Sequence, residues 1–166
     1  DNGFTTLDGA WGVATFARGS STYAIVASYY DHGVQIIDVS DPANPQPIGA
    51  ATDGDNGFTT LRNSRGVATF SRGSSTYAIV TSVNDDGVQL IDVSDPANPL
   101  PIGAATDSAN SGFTELNGAF GVATFSRHGL LYAIVTSVQD RGVQMIELST
   151  YNGPPTSPPP PATPHN

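Results

Sequence analysis

Gly87-Val88-Gln89-Leu90-Ile91-Asp92-Val93 is the stretch on which the fold turns. As a strand it places Val88, Leu90 and Asp92 on one face and Gln89, Ile91 and Val93 on the other, because successive side chains alternate. Both faces are largely apolar. A sheet with one wet face alternates apolar and polar residues more cleanly, so this segment requires a packed neighbour on each side. The same pattern occupies Gly33 to Val39 and Gly142 to Leu148.

Outward from this stretch the whole chain repeats. Gly3-Phe4-Thr5-Thr6-Leu7 returns at 57–61 and, as Gly112-Phe113-Thr114-Glu115-Leu116, a third time, at intervals of 54 and 55 residues. Gly12-Val13-Ala14-Thr15-Phe16 recurs at 66–70 and 121–125 in the same step. A fixed period of this size marks a propeller, a solenoid or an array whose units bury apolar surface on one another. The units lie near 1–54, 55–109 and 110–150. In the second, Gly66 to Phe70 and Tyr77 to Val83 read as strands. Asn84-Asp85-Asp86-Gly87 reads as a hairpin turn with Asp-Gly at positive φ. Val88 to Val93 follows as a strand, and Ser94 to Pro99 is a loop fixed by two prolines. Pro101 to Thr106 is a weaker edge strand. No stretch sustains a 3.6-residue apolar period, so almost no helix is expected. The fold class is all-β, with three four-stranded antiparallel propeller-type blades as a partial propeller or a ring closed by oligomerisation. A three-sheet β-prism is the alternative. The third unit replaces Asp-Val-Ser-Asp-Pro by Glu147-Leu148-Ser149-Thr150-Tyr151, and no phrase for a final strand follows.

The 166 residues carry a net charge of −9, from 15 acidic and 6 basic residues, all of the latter arginine. With no basic stripe for phosphates, nucleic acid is not an expected partner. Cysteine is absent, which excludes disulfides and thiolate chemistry. No apolar run reaches membrane-spanning length and no signal peptide is read. The chain opens on Asp1 within a repeat phrase, as expected of a processed product or part of a longer chain.

The phrase Gly33-Val34-Gln35-Ile36-Ile37-Asp38-Val39-Ser40-Asp41-Pro42-Ala43-Asn44-Pro45, its near-copy at 87–99, and the preceding Ser-Ser-Thr-Tyr-Ala-Ile-Val at 20–26 and 74–80 resemble the LVIVD-type β-propeller repeat. The resemblance covers roughly 1–150. It implies four-stranded blades in an extracellular or envelope setting, and no catalytic residue set. Residues 151–166 change composition abruptly to a proline-rich segment expected to form polyproline II. Ser157 followed by Pro158, Pro159, Pro160 and Pro161 resembles the Ser-Pro-Pro-Pro-Pro unit of extensins. This resemblance implies hydroxylation and O-glycosylation, with Thr156, Ser157, Pro158 to Pro161, Thr163 and Pro164 as candidate positions. No Asn-x-Ser/Thr acceptor occurs.

Candidate chemistry is sparse. Asp53-Gly54-Asp55-Asn56-Gly57 has the outline of a calcium loop. It puts glycine where an EF-hand needs its third ligand and lacks the later glutamate, so an ordinary turn is the preferred reading and no cofactor is expected. Asp38, Asp92 and Glu147 recur once per unit and are read as carboxylates that fix the following turn; Arg18, Arg72 and Arg127 also recur and are candidates to pair with them. His32, His128 and His165 occupy unrelated positions, so no metal site is expected. No nucleophile motif is present, and no catalytic residues are assigned. Phe4, Phe16 and Tyr23 recur and argue for packing between units. Trp11, Tyr29 and Tyr30 are not kept in all units; beside Asp31 and His32 they form the candidate binding set, for a sugar or a neighbouring subunit. The expected role is a non-enzymatic extracellular or cell-surface structural or adhesive module. It would associate with itself or with another extracellular protein, and present loops 28–33, 82–87 and 137–142. A carbohydrate-binding, lectin-like propeller module is the alternative.

Overall fold

The computed structural model describes residues 3–149 and holds eleven strands and, among those residues, no helix. β1 (Ala10–Arg18), β2 (Ser21–Ser28), β3 (Gly33–Asp38) and β4 (Gln46–Thr52) form one antiparallel sheet in chain order. β5 (Ser64–Arg72), β6 (Ser75–Ser82), β7 (Gly87–Asp92) and β8 (Leu100–Thr106) repeat it with the same registers. β9 (Ala119–Arg127), β10 (Leu130–Ser137) and β11 (Gly142–Glu147) form a third sheet of three strands. Among the described residues this sheet has no outer strand, in line with the loss of the loop phrase after Glu147. The candidate glycosylation positions, Thr156 to Pro164, lie outside the described residues.

The sheets stack as blades, with β1 against β5 and β5 against β9. Two separate cores result. Phe16, Ile25, Val34 and Ile36 of blade 1 meet Val67, Val80, Ile91 and Val93 of blade 2. Phe70, Ile79, Val88 and Leu90 of blade 2 meet Ala133, Val135, Ile146 and Leu148 of blade 3. The two faces read from 88–93 therefore fill two different cores. A β-prism would gather three sheets round one shared core, so that alternative is not what forms. In each blade the Phe of the inner strand stacks on the Tyr opposite, with centroids 5.3–5.6 Å apart.

Three devices set the blade spacing. The Gly-Phe-Thr-Thr-Leu phrase carries Phe58 and Leu61 into the first core, and its third copy carries Phe113 and Leu116 into the second. Gln35 holds that phrase to its own blade: its Oε1 accepts from Thr5 N and Thr6 N at 3.1 and 3.2 Å, and its Nε2 donates to Gly49 O at 2.7 Å. Gln89 repeats all three bonds with Thr59, Thr60 and Gly103. Finally, the inner strands approach so closely that a Cβ on Gly12 or Gly66 would collide with the carbonyl oxygen of Arg65 or Phe120 in the next blade.

The Asn84–Gly87 turn takes its positive φ at the aspartate of the Asp-Gly pair. Asp86, not Gly87, has positive φ (49°), as do His32 and Arg141 at the matching positions. Gly87 is needed for space instead: a Cβ there would strike the Ala105 carbonyl oxygen.

Phe58 is 2% exposed whereas Phe4, its counterpart in the first unit, is only half-buried. Phe58→Ala is expected to cost about 3–5 kcal/mol, and Phe4→Ala well under half of that in the isolated chain, both read from urea unfolding.

Candidate functional site

Three matching positions, one per blade, converge at the start of the inner strands: Trp11, Arg65 and Phe120. The Arg65 guanidinium lies 4.1 Å from the Trp11 ring centroid, 4.5 Å from that of Phe120 and 4.7 Å from that of Tyr29. Trp11 and Phe120 meet edge to face at 6.0 Å, and Tyr29 meets Tyr30 in the same way at 5.0 Å. Arg65 Nε is buried without a hydrogen-bond partner. A guanidinium held among ring faces is stabilised by their quadrupoles. It orders the cluster.

The candidate binding set divides on this geometry. Trp11 and Tyr30 are exposed, Tyr30 lying over Gly9, and Tyr29 is half-buried in the Arg65 cluster. Asp31 and His32 are engaged in the framework. Asp31 Oδ2 accepts from Asp8 N at 2.7 Å, as Asp85 and Asp140 accept from Arg62 N and Asn117 N at 2.8 Å. His32 Nδ1 accepts from Asn63 N of blade 2 at 3.1 Å, and Asp86 Oδ1 from Gly118 N of blade 3 at 2.8 Å. The turns at 28–33 and 82–87 are thus joints between blades, with Tyr30 and Asn84 exposed at their tips. Sequence reasoning missed Arg65. The available signal was a lone cation where the other two units carry an aromatic.

The recurrent carboxylates act on their own turns. Asp38 and Asp92 accept from Ser40 N and Ser94 N at 2.8 Å, and they sit on β3 and β7, away from the inner strands. Asp53 Oδ1 accepts from Leu61 N at 3.1 Å, and Asp55 Oδ2 from Thr52 Oγ1 at 2.6 Å. The 53–57 segment is a structured turn, and no cluster of metal-ligating side chains occurs among the described residues. Arg18 does not pair with a carboxylate; its Nε and Nη1 donate to the carbonyls of Ser94 and Ser74 in blade 2, at 3.1 and 2.5 Å.

The largest departure from a closed structure is at the two ends of the stack. Val13, on the back of blade 1, is 63% exposed, while its counterpart Val67 is 8% exposed. Val143, on the front of blade 3, is 53% exposed, while Val34 and Val88 are fully buried. Phe125 follows the same rule, 39% exposed against 7% for Phe16. Exposed apolar side chains at positions buried elsewhere in the repeat are of the kind that mark interaction surfaces.

No protein-family model matches the chain, and no curated protein is similar to it in sequence. Among solved structures, the chain is similar to the GH32 β-fructofuranosidase of Bombyx mori, at 14% identity and a TM-score of 0.47. It is also similar to a point mutant of that enzyme in complex with sucrose, at 13% identity and a TM-score of 0.48. Each match covers 89% of this chain, which spans only 36% of the length of the enzyme. No helix among the described residues is long and apolar enough to cross a membrane.

Two outcomes follow from this geometry. Trp11 is the sole tryptophan, so its emission reports the cluster directly. Arg65→Met is expected to shift that emission and to cost about 1–2 kcal/mol, measured by fluorescence and thermal unfolding. The Ser40 hydroxyl and N–H hold Asp38 below its ordinary value, and Asn98 with the Ala97 N–H does the same for Asp95. A lowered folded-state pKa stabilises above the unfolded value and is lost as pH falls through the folded one. Stability should therefore decline below pH ~4, and Asp38→Asn with Asp95→Asn should flatten that decline in unfolding curves.

Proposed function

We propose that the chain is a non-enzymatic, extracellular structural or adhesive repeat module that works by assembling into a surface or fibrous structure. The observation that carries this reading is the pair of open blade faces, whose residues are buried wherever the chain supplies a following or preceding blade. Burying a valine or phenylalanine is worth about 1.5–3 kcal/mol, so each face is a strong incentive to associate. Its shape comes from rigid blades, with the proline-rich segment as a stiff, O-glycosylated spacer. The extracellular placement rests on the resemblance of the repeats and of the Ser157–Pro161 unit.

A carbohydrate-binding module is the second reading, favoured by the exposed rings of Trp11 and Tyr30 on an ordered aromatic cluster. Lectins built from repeats place one site per unit, however, and here the matching residues of Trp11 and Tyr30 are Arg65 and Asn84, then Phe120 and Gln139.

Light scattering separates the two. The structural role predicts particles heavier than the 17.1 kDa chain and no signal on a glycan array. A monomer whose Trp11 emission responds to a sugar would replace it with the lectin reading. Intact mass of native material should exceed that of the bare chain by pentose increments; a matching mass removes the glycosylated spacer.

A further inference from the structure

The front of blade 3 and the back of blade 1 are the two halves of an interface that the chain already builds twice. We propose that they meet between two copies of the chain, blade 3 of each seated on blade 1 of the other, closing a six-bladed ring. This rests on the assembly reading above and names its partner.

Among the described residues, the fastenings that repeat between consecutive blades run in one direction and have no partner blade at the two ends. The Thr69 hydroxyl donates to Thr15 O at 2.9 Å and the Thr124 hydroxyl to Thr69 O at 3.2 Å. The series would continue from the Thr15 hydroxyl of one copy to Thr124 O of the other. The Thr81 hydroxyl donates to Phe120 O at 2.7 Å; Thr136 holds the same place on blade 3, is exposed, and would find Trp11 O. Arg18 holds the Ser94 and Ser74 carbonyls; for Arg127 the matching carbonyls are those of Ser40 and Ser20. Gly121 repeats the spacing requirement. A Cβ on Gly12 or Gly66 runs into the next blade, whereas one on Gly121 meets only the Thr136 hydroxyl, at 3.0 Å. The chain keeps a glycine there although no described blade lies beyond it.

One position distinguishes the end junction from the internal ones and fits it to this chain's own first blade. His32 and Asp86 are acceptors for the backbone N–H of Asn63 and Gly118. Their counterpart is Arg141, which accepts nothing. Seated on blade 1, it would lie over Asp8 and Gly9, where Asp8 supplies the opposite charge. The copy number follows from closure: propellers close with about four to eight blades, and six is the only multiple of three in that range. Two copies related by a two-fold axis then leave no face uncovered.

The chain has no cysteine, so single thiols can be placed without interference. Thr15→Cys and Thr124→Cys chains are prepared separately, mixed, and treated with a short bis-maleimide; light scattering reports the mass of the untreated protein. The expected result is a dimer by light scattering, with covalent dimers forming in the mixture and not in either variant alone. The chain carrying both thiols should stop at a covalent dimer. Gly121→Ala should fold as the parent does and weaken dimerisation by about tenfold or more. A ladder from the double variant would overturn ring closure in favour of an open filament. Crosslinking of either variant with itself would overturn the head-to-tail pairing. Particles that assemble but do not crosslink would overturn this interface and leave the assembly reading standing; a monomer at every concentration would remove both.

Discussion

A sheet apolar on both faces cannot be stable with one neighbour, and the rest of the structure depends on that constraint. Blade 2 satisfies it completely: Val67, Val80 and Ile91 are buried on one side, and Val88, Leu90 and Ile79 on the other. Blades 1 and 3 satisfy it on one side only. Exposure along the repeat is therefore set by position in the stack rather than by residue type, which is why the same valine is buried in one unit and open in another. In a nearest-neighbour array stability is a sum of unit and junction terms, and this chain contains three units and two junctions.

The units are not separable along the sequence period. Phe58 and Leu61 belong to the second repeat by sequence, yet they complete the core between blades 1 and 2. The glutamine of β3 or β7 then ties the same phrase to the middle of its own blade. Truncation at a repeat boundary would remove the plug of one blade while leaving its apolar face behind. The buried amide is well suited to this: it accepts two adjacent N–H groups and donates across the strand, so its polar atoms are satisfied where an aliphatic residue would leave backbone donors without partners.

Much of this was legible in the sequence, for a physical reason. Strand faces alternate strictly, so the two apolar faces of 88–93 could be assigned before any neighbour was known, and the phrase lost after Glu147 marks where the described part of the third sheet departs from four strands. The proline-bounded loop and the turn-fixing role of Asp38 are local and were read correctly. What failed to show was long-range. The Asp-Gly pair suggested positive φ at a turn, but Gly87 is required by the approach of a carbonyl 18 residues away. For Arg18 the recurrence suggested an ion pair, because no rule of spacing reveals that Ser94 and Ser74 of another blade present carbonyls to it. Gln35 and Arg65 were visible as a polar residue on an apolar strand and as a break in an aromatic column, but their partners are 29 and 54 residues distant. The set Trp11, Tyr29, Tyr30, Asp31 and His32 was gathered because its aromatics are not repeated and two of them adjoin Asp31 and His32 in sequence, and the fold separates it into the exposed rings of Trp11 and Tyr30, the half-buried Tyr29 and two framework acceptors.

The departures from repetition fall where identical blades would be ambiguous. Three identical units can stack in shifted registers at nearly equal energy, since every junction offers the same residues. Arg65 removes that freedom at the inner strands. A cation needs ring faces around it, and it finds Trp11 on the preceding blade and Phe120 on the following one. Moved to either end it would have a ring on one side only, and three aromatics in place of the set would distinguish nothing. Arg141 departs in the same way at the outer turn, placing a cation where the other two units carry the acceptors of the Asn63 and Gly118 N–H groups. The repeat thus supplies the attraction between blades, and a few charged exceptions supply their order.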